Sequence, residues 1–242
     1  MRVEFDKNEK QADTLVIVFA SAGLAFGGAP VQEFRKTFAN VDPGYAYDLC
    51  WVFDTRGNWF GGMTKSPEFD PFVKRVQSYQ RCITMGESKG GFGALLFRRF
   101  VDNWDRTLSL GPQYSVSSPY ISFDSALRLP REIPVEDFSL AIPPRQKKDE
   151  ESRIAIFFGA DSWADFIHAS FYRLAGYSPR FVQGAHHSVA ARLKPLGLLN
   201  VVIEKFLEAE SGVPDFDFIK HLLQDQPSER VRELDLRDQA IQ

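Results

Sequence analysis

Apolar residues fall along this chain in short continuous runs, separated by amphipathic stretches and by loops rich in Gly, Pro, Ser and Asp. The run Leu15 to Ala20 has no polar member, as expected of a strand covered on both faces, and it breaks into the small-residue loop Ser21-Ala22-Gly23. Similar runs predict strands at Tyr47 to Phe53, Arg81 to Met85, Thr107 to Leu110, Ile154 to Phe158 and Arg180 to Val182. Between them, helical periodicity predicts helices at Pro71 to Gln80, from Leu95 through Val101, at Ala164 to Ala175 and at Ser188 to Glu208. Strands alternating with helices predict an α/β fold: a mostly parallel sheet with helices on both faces. Residues 113–152 have little periodicity, several prolines and a charged run, and read as a small lid or surface excursion. Residues 213–242 read as a C-terminal helical appendage to a domain spanning 1–212.

Composition narrows the partners. At 242 residues, 44% hydrophobic and 25% charged, the chain has the profile of one large globular domain. A net charge of −3 supplies no positive field for a phosphate backbone, so nucleic acid is not an expected partner. No segment has the apolar length of a membrane span, and the N-terminus lacks the apolar core of a signal peptide. Cys50 and Cys82 both lie inside predicted strands and form no disulfide framework, which fits a reducing cytoplasm. Phe accounts for 22 residues, and with no polar handle these point to core packing.

The stretch Gly86-Glu87-Ser88-Lys89-Gly90 follows a predicted strand directly and opens a predicted helix. A strand that turns abruptly into a helix forces the residue at the corner into strained φ/ψ. The flanking glycines relieve the crowding and leave the serine hydroxyl exposed at the C-terminal edge of the sheet. Ser88 is therefore the candidate nucleophile. A neutral serine needs a base in hydrogen-bond reach, and the base needs an orienting acid. Of the four histidines, His168 falls in a predicted helix and His221 in the C-terminal segment, whereas His186 and His187 follow the last predicted strand at the same edge as Ser88. His187, directly before the helix, is the favoured base, with His186 the alternative. Asp161, a Gly-Ala step beyond the strand ending at Phe158, is the favoured acid. Asp165, in the first turn of the next helix, is the alternative and could serve only the helix dipole. No Cys, His or carboxylate spacing suggests a metal, and neither Gly-x-x-x-x-Gly-Lys nor a dinucleotide-binding glycine pattern is present, so no cofactor is expected.

The chain resembles the α/β-hydrolases over about residues 14–208. The resemblance is carried by the elbow at Gly86 to Gly90, the acid loop Gly159-Ala160-Asp161 and the histidine loop Gly184-Ala185-His186-His187, in the order Ser, Asp, His. It implies a serine esterase, deacetylase or acyltransferase acting on a short-chain acyl ester through an acyl-enzyme. The implied oxyanion hole uses the backbone N–H of Lys89 and one from the loop after the first strand, at Ala22, each worth about 3 kcal/mol. The His-Gly-Gly-Gly motif of lipases is absent, with Ser21-Ala22-Gly23 in its place. Asp54-Thr55-Arg56-Gly57-Asn58-Trp59-Phe60, with His187-Ser188-Val189 ahead of Leu193 and Gly197, is further similar to bacterial hydrolase-like proteins associated with surface-glycan biosynthesis and accessory secretion. That likeness implies an acylated glycan as an alternative substrate and Arg56, Trp59 and Phe60 as pocket residues. The rival function is a catalytically silent scaffold that binds a glycan-biosynthesis or secretion partner through its C-terminal tail and the 113–152 excursion. A peptidase is a weaker third, since nothing marks a peptide groove.

Overall fold

A computed structural model of the chain describes residues 1–6, 12–21, 32–41, 47–115, 148–210 and 212–232. Eight strands form one sheet in the order β1-β3-β2-β4-β5-β6-β7-β8. The strands are β1 (Arg2–Asp6), β2 (Thr14–Phe19), β3 (Tyr47–Phe53), β4 (Arg81–Glu87), β5 (Trp104–Leu110), β6 (Ile154–Gly159), β7 (Arg180–Val182) and β8 (Leu223–Gln224). The six inner strands are parallel, and β1 and β8 pair antiparallel at the two edges. The helices are α1 (Arg35–Asn40), α2 (Phe69–Val76), α3 (Lys89–Phe97), α4 (Trp163–Leu174), α5 (Val189–Leu193) and α6 (Leu198–Glu208).

The continuous apolar run of β2 is explained by its place near the middle of the sheet. Its residues alternate between two cores, because successive side chains leave a strand on opposite faces. Val16 and Val18 join Phe38 of α1, Val189 and Leu193 of α5, and Val202, Ile203 and Phe206 of α6. Leu15, Ile17 and Phe19 join Phe69, Phe72 and Val76 of α2 and Phe92, Leu96 and Phe97 of α3. Helices therefore cover both faces. The phenylalanines do the packing expected of them: the Phe97 ring lies 5.5 Å from Phe19 and 5.1 Å from Phe72, and Phe69 meets Phe100 edge-on at 5.0 Å. Both cysteines are free and buried, and burial pushes the two thiols up from their ordinary range. No helix among the described residues is long and apolar enough to cross a membrane.

Several elements differ from expectation, α1 among them, where no helix was expected, and α3, which starts at Lys89 rather than Leu95. β1 is an additional edge strand, in which Val3 and Phe5 pack against the α2/α3 side while Arg2 and Asp6 stay exposed. β5 begins at Trp104 rather than Thr107. Its Arg106 is fully buried and donates to the carbonyls of Phe206 and Ala209 at the C-terminal end of α6, so a charged residue sits inside a covered strand. The long helix expected over 188–208 is two, interrupted at residues 194–197 around Pro195, with Gly197 at φ 71°. The expected division at residue 212 runs through packed structure. Phe216 meets Phe157 at 5.0 Å, Ile219 is fully buried in a 3₁₀ turn spanning 217–222, and β8 extends the sheet where a helix was expected. Most of the expected lid, residues 116–147, and the tail from 233 onward lie outside the described residues.

Candidate active site

The parallel strands deliver their C-terminal ends to one edge, where ligands of open α/β sheets bind. β4 ends at Glu87, and Ser88 turns the chain into α3 with φ 53° and ψ −123°, a conformation unfavourable for any residue with a Cβ. The two flanking glycines are required by crowding. A Cβ on Gly90 would lie 1.9 Å from the carbonyl oxygen of Phe19, and one on Gly86 would lie 2.4 Å from the carbonyl carbon of Gly90. Strand β2 thus runs directly against the elbow, and only hydrogen fits at these two positions. The Ser88 N–H donates to the carbonyl of Leu110 at 2.7 Å, which ties the corner to β5.

His187 follows β7 and lies 99 residues from Ser88 in sequence, with its Nε2 2.8 Å from Ser88 Oγ. Its Nδ1 lies 2.6 Å from Oδ1 of Asp165. Asp165 is fully buried, and its other oxygen accepts the Gly159 N–H at 2.8 Å, so both carboxylate oxygens are engaged and the charge is not left bare. The imidazole is fixed at one nitrogen by an acid and meets the serine with the other.

The structure brings Asp165, and not the expected Asp161, to His187. Asp161 serves the histidine loop through its main chain instead: its N–H donates to the carbonyl of Ala185 at 2.9 Å, and its own carbonyl accepts from His186 Nδ1 at 3.2 Å. His186 is exposed and turned to that carbonyl, away from Ser88. Asp165 carried a local signal in Ser162-Trp163-Ala164-Asp165. Ser162 caps α4 by accepting the Asp165 N–H at 3.2 Å, and an acid at that third position projects back toward the strand end. Here it reaches Gly159 and, across the loop, His187.

The remaining expected site residues separate. Lys89 begins α3, so its N–H is one of the first-turn donors that lack an intrahelical acceptor. Its side chain is not solvated: Nζ lies 3.5 Å from buried Asp54, which also accepts the Trp59 N–H at 2.8 Å. Ala22 lies outside the described residues. Ser21 next to it directs both N–H and Oγ–H to Glu33 Oε1, at 2.9 and 2.6 Å. Phe60 is only 1% exposed and packs edge-on against Phe19 at 5.3 Å, so it is a core residue rather than a pocket residue. Arg56 is exposed on the same loop. Trp59 is half-buried and directs its indole Nε1–H to Oε1 of Gln113 at 3.5 Å. Gln113 was not anticipated. Buried just beyond β5, it donates from Nε2 to Ser88 Oγ at 3.0 Å, and that nitrogen lies 3.3 Å from His187 Nε2. Glu87 accepts Ser188 Oγ–H and Ala190 N–H, each at 2.9 Å, which anchors the start of α5 beside the histidine, and burial raises its pKa above the ordinary value.

The histidine loop crosses β6 so closely that a Cβ on Gly159 would lie 1.7 Å from the carbonyl oxygen of His186. Gly159→Ala should therefore displace the loop, costing about 1–3 kcal/mol of stability by overpacking. The displacement should also lower any activity that depends on the Ser88–His187 contact by at least about tenfold, since a 1 Å misplacement can cost roughly a hundredfold. Thermal denaturation and turnover measured on the same variant check both.

Neither a protein-family model nor a curated protein matches this sequence. Solved structures do match. A thermophilic esterase, Est2, from the Planctomycetes species Thermogutta terrifontis, solved with propionate bound, aligns at TM-score 0.52 and 14% identity, covering 88% of this chain and 91% of the esterase. A carboxylesterase of the thaumarchaeon Nitrososphaera gargenis aligns at TM-score 0.51 and 10% identity, covering 84% of this chain and 92% of that one. Pyrococcus horikoshii acylaminoacyl peptidase aligns at TM-score 0.53 and 12% identity over 92% of this chain, which spans 41% of the peptidase. Together with the strand order, these matches show that the chain has the α/β-hydrolase fold.

Proposed function

We propose that this protein is a serine hydrolase that cleaves or transfers a short acyl group through an ester on Ser88. The observation that carries the reading is the unbroken hydrogen-bonded line from Ser88 Oγ to His187, 2.8 Å, and from His187 to buried Asp165, 2.6 Å. In this reading Ser88 gives its proton to His187 Nε2 as Oγ attacks the ester carbonyl. Asp165 holds the Nδ1–H tautomer and stabilises the imidazolium that forms. The negative charge developing on the carbonyl oxygen is met by the Lys89 N–H and by a second donor from the loop after β2, for which Ala22 is the assigned residue. His187 then protonates the departing alkoxide, and water or an alcohol, deprotonated by the same nitrogen, releases the acyl group.

The esterases of the same fold support a small ester as substrate, and an acylated sugar fits the same chemistry. Of the three residues assigned to the pocket, Trp59 beside Gln113 and exposed Arg56 stay in this reading as its wall and rim, and buried Phe60 does not. The test is exposure of the purified protein to a fluorophosphonate probe, with peptide mapping of the adduct, alongside a panel of p-nitrophenyl esters from acetyl to octanoyl. A covalent adduct on Ser88, with turnover highest for acetyl, is expected. Absence of both labelling and turnover would leave the silent scaffold as the better reading.

A further inference from the structure

Besides meeting each other, Ser88 Oγ and His187 Nε2 both meet the side chain of Gln113. Its Nε2 lies 3.0 Å from Ser88 Oγ and 3.3 Å from His187 Nε2. During acylation the departing oxygen must sit on the carbon that Oγ attacks while taking a proton from His187 Nε2, which places it in this same narrow region. Two further contacts determine what Gln113 presents there. An indole N–H can only donate, so the Trp59 contact at 3.5 Å assigns the carboxamide oxygen to the Trp59 side; that oxygen also lies 3.5 Å from Ser88 Oγ, but the NH₂ is nearer at 3.0 Å and faces both Ser88 and His187. The main-chain carbonyl of Gln113 accepts the Tyr172 hydroxyl at 3.1 Å, and Tyr172 is itself fully buried, which fixes the backbone from which the side chain reaches. With only 2% of its surface exposed, Gln113 is a buried donor held in place rather than a surface residue that happens to be near.

We propose that the Gln113 carboxamide is a catalytic hydrogen-bond donor to the leaving-group oxygen of the ester, and by reversibility to the incoming oxygen of the acyl acceptor. The proposal rests on the serine-hydrolase reading. In the resting site one N–H is spent on Ser88 Oγ. When Oγ bonds to the acyl carbon it becomes an ester-type oxygen and a poorer acceptor, and that N–H is released. As the C–O bond to the leaving group breaks, its electron pair stays on the leaving oxygen, His187 Nε2 delivers the proton taken from Ser88, and the Gln113 N–H stabilises the charge that precedes that delivery. In deacylation the acceptor hydroxyl gives its proton to Nε2, its oxygen bonds to the acyl carbon, and Oγ departs with the proton.

A donor to the leaving oxygen matters most where that oxygen carries the most charge. An alkoxide leaving from an alkyl ester needs it, and a p-nitrophenolate, stable at neutral pH, does not. The experiment compares kcat/KM for ethyl acetate and p-nitrophenyl acetate in wild type, Gln113→Leu and Gln113→Glu, with mass spectrometry of the acetyl adduct on Ser88. Both variants should lose at least about tenfold more activity on ethyl acetate than on the aryl ester, the equivalent of one charge-assisted hydrogen bond. Gln113→Glu preserves the shape of the side chain and carries the test if the leucine variant does not fold. Equal losses on the two esters, as loss of packing alone would produce, or a larger loss on the aryl ester, would overturn the proposal. A wild-type protein that turns over neither ester and takes neither an acetyl group nor a fluorophosphonate on Ser88 would instead overturn the hydrolase reading on which it rests.

Discussion

Ser88→Ala should abolish fluorophosphonate labelling and reduce ester turnover by about 10⁶-fold, to the residue left by binding and an oxyanion hole. The protein should fold as before. The serine hydroxyl makes its contacts to His187 and Gln113 at a partly open edge, and its loss removes a donor to His187 Nε2 and an acceptor for the Gln113 N–H without opening a cavity in either core. The melting temperature should therefore stay within a few degrees of wild type, the scale of a surface substitution. Labelling that persists in the variant, or turnover that falls only in proportion to a lost fold, would exclude Ser88 as the nucleophile.

The second large effect separates two aspartates four residues apart. Asp165→Asn retains the size and one acceptor oxygen of the side chain, but it can present an NH₂ to His187 Nδ1 and so favour the tautomer whose Nε2 carries the proton. Such an imidazole cannot accept from Ser88, and turnover should fall about 10⁴-fold. Asp161→Asn should change turnover by less than about tenfold, because the contacts Asp161 makes to Ala185 and His186 come from its main chain and survive the substitution. Steady-state kinetics on the pair decides the assignment. A loss at Asp161 that exceeds the loss at Asp165 would show that the acid in solution is not the one bonded to His187 here.

The elbow was legible because its cause is local. Two glycines around a serine between a strand and a helix state a steric requirement that residues 86–90 meet unaided, and the clash with Phe19 is its counterpart in space. That His187 lies beside Ser88 was legible from its place after β7. Which aspartate meets it was not, because Asp161 and Asp165 both lie near the end of β6, and which side chain turns toward the histidine depends on where α4 starts and on how the loop at Ala185 crosses Gly159. Gln113 left no local trace. It lies beyond Gly111-Pro112 in a stretch without periodicity, and it meets Ser88 only because β5 is adjacent to β4 in the sheet. The edge strands escaped notice for a different reason: β1 alternates and is half-covered, and β8 has two residues, so neither shows the continuous apolar run of a strand buried on both faces.

The distance along the chain between Ser88 and His187 has a consequence for a protein still being made. Everything that bends Ser88 into its corner, namely β2, β4, β5 and the first turn of α3, has been synthesised by residue 110. His187 comes 77 residues later, and the outer neighbour that pairs with β7 only at residues 223–224. A ribosome-bound chain can thus hold every strand around the elbow while His187 is still to come, and one face of the core around β2 and β4 still waits for α5 and α6. On the proposed function, the capacity of Ser88 to attack an acyl group would arrive with completion of the fold and not before.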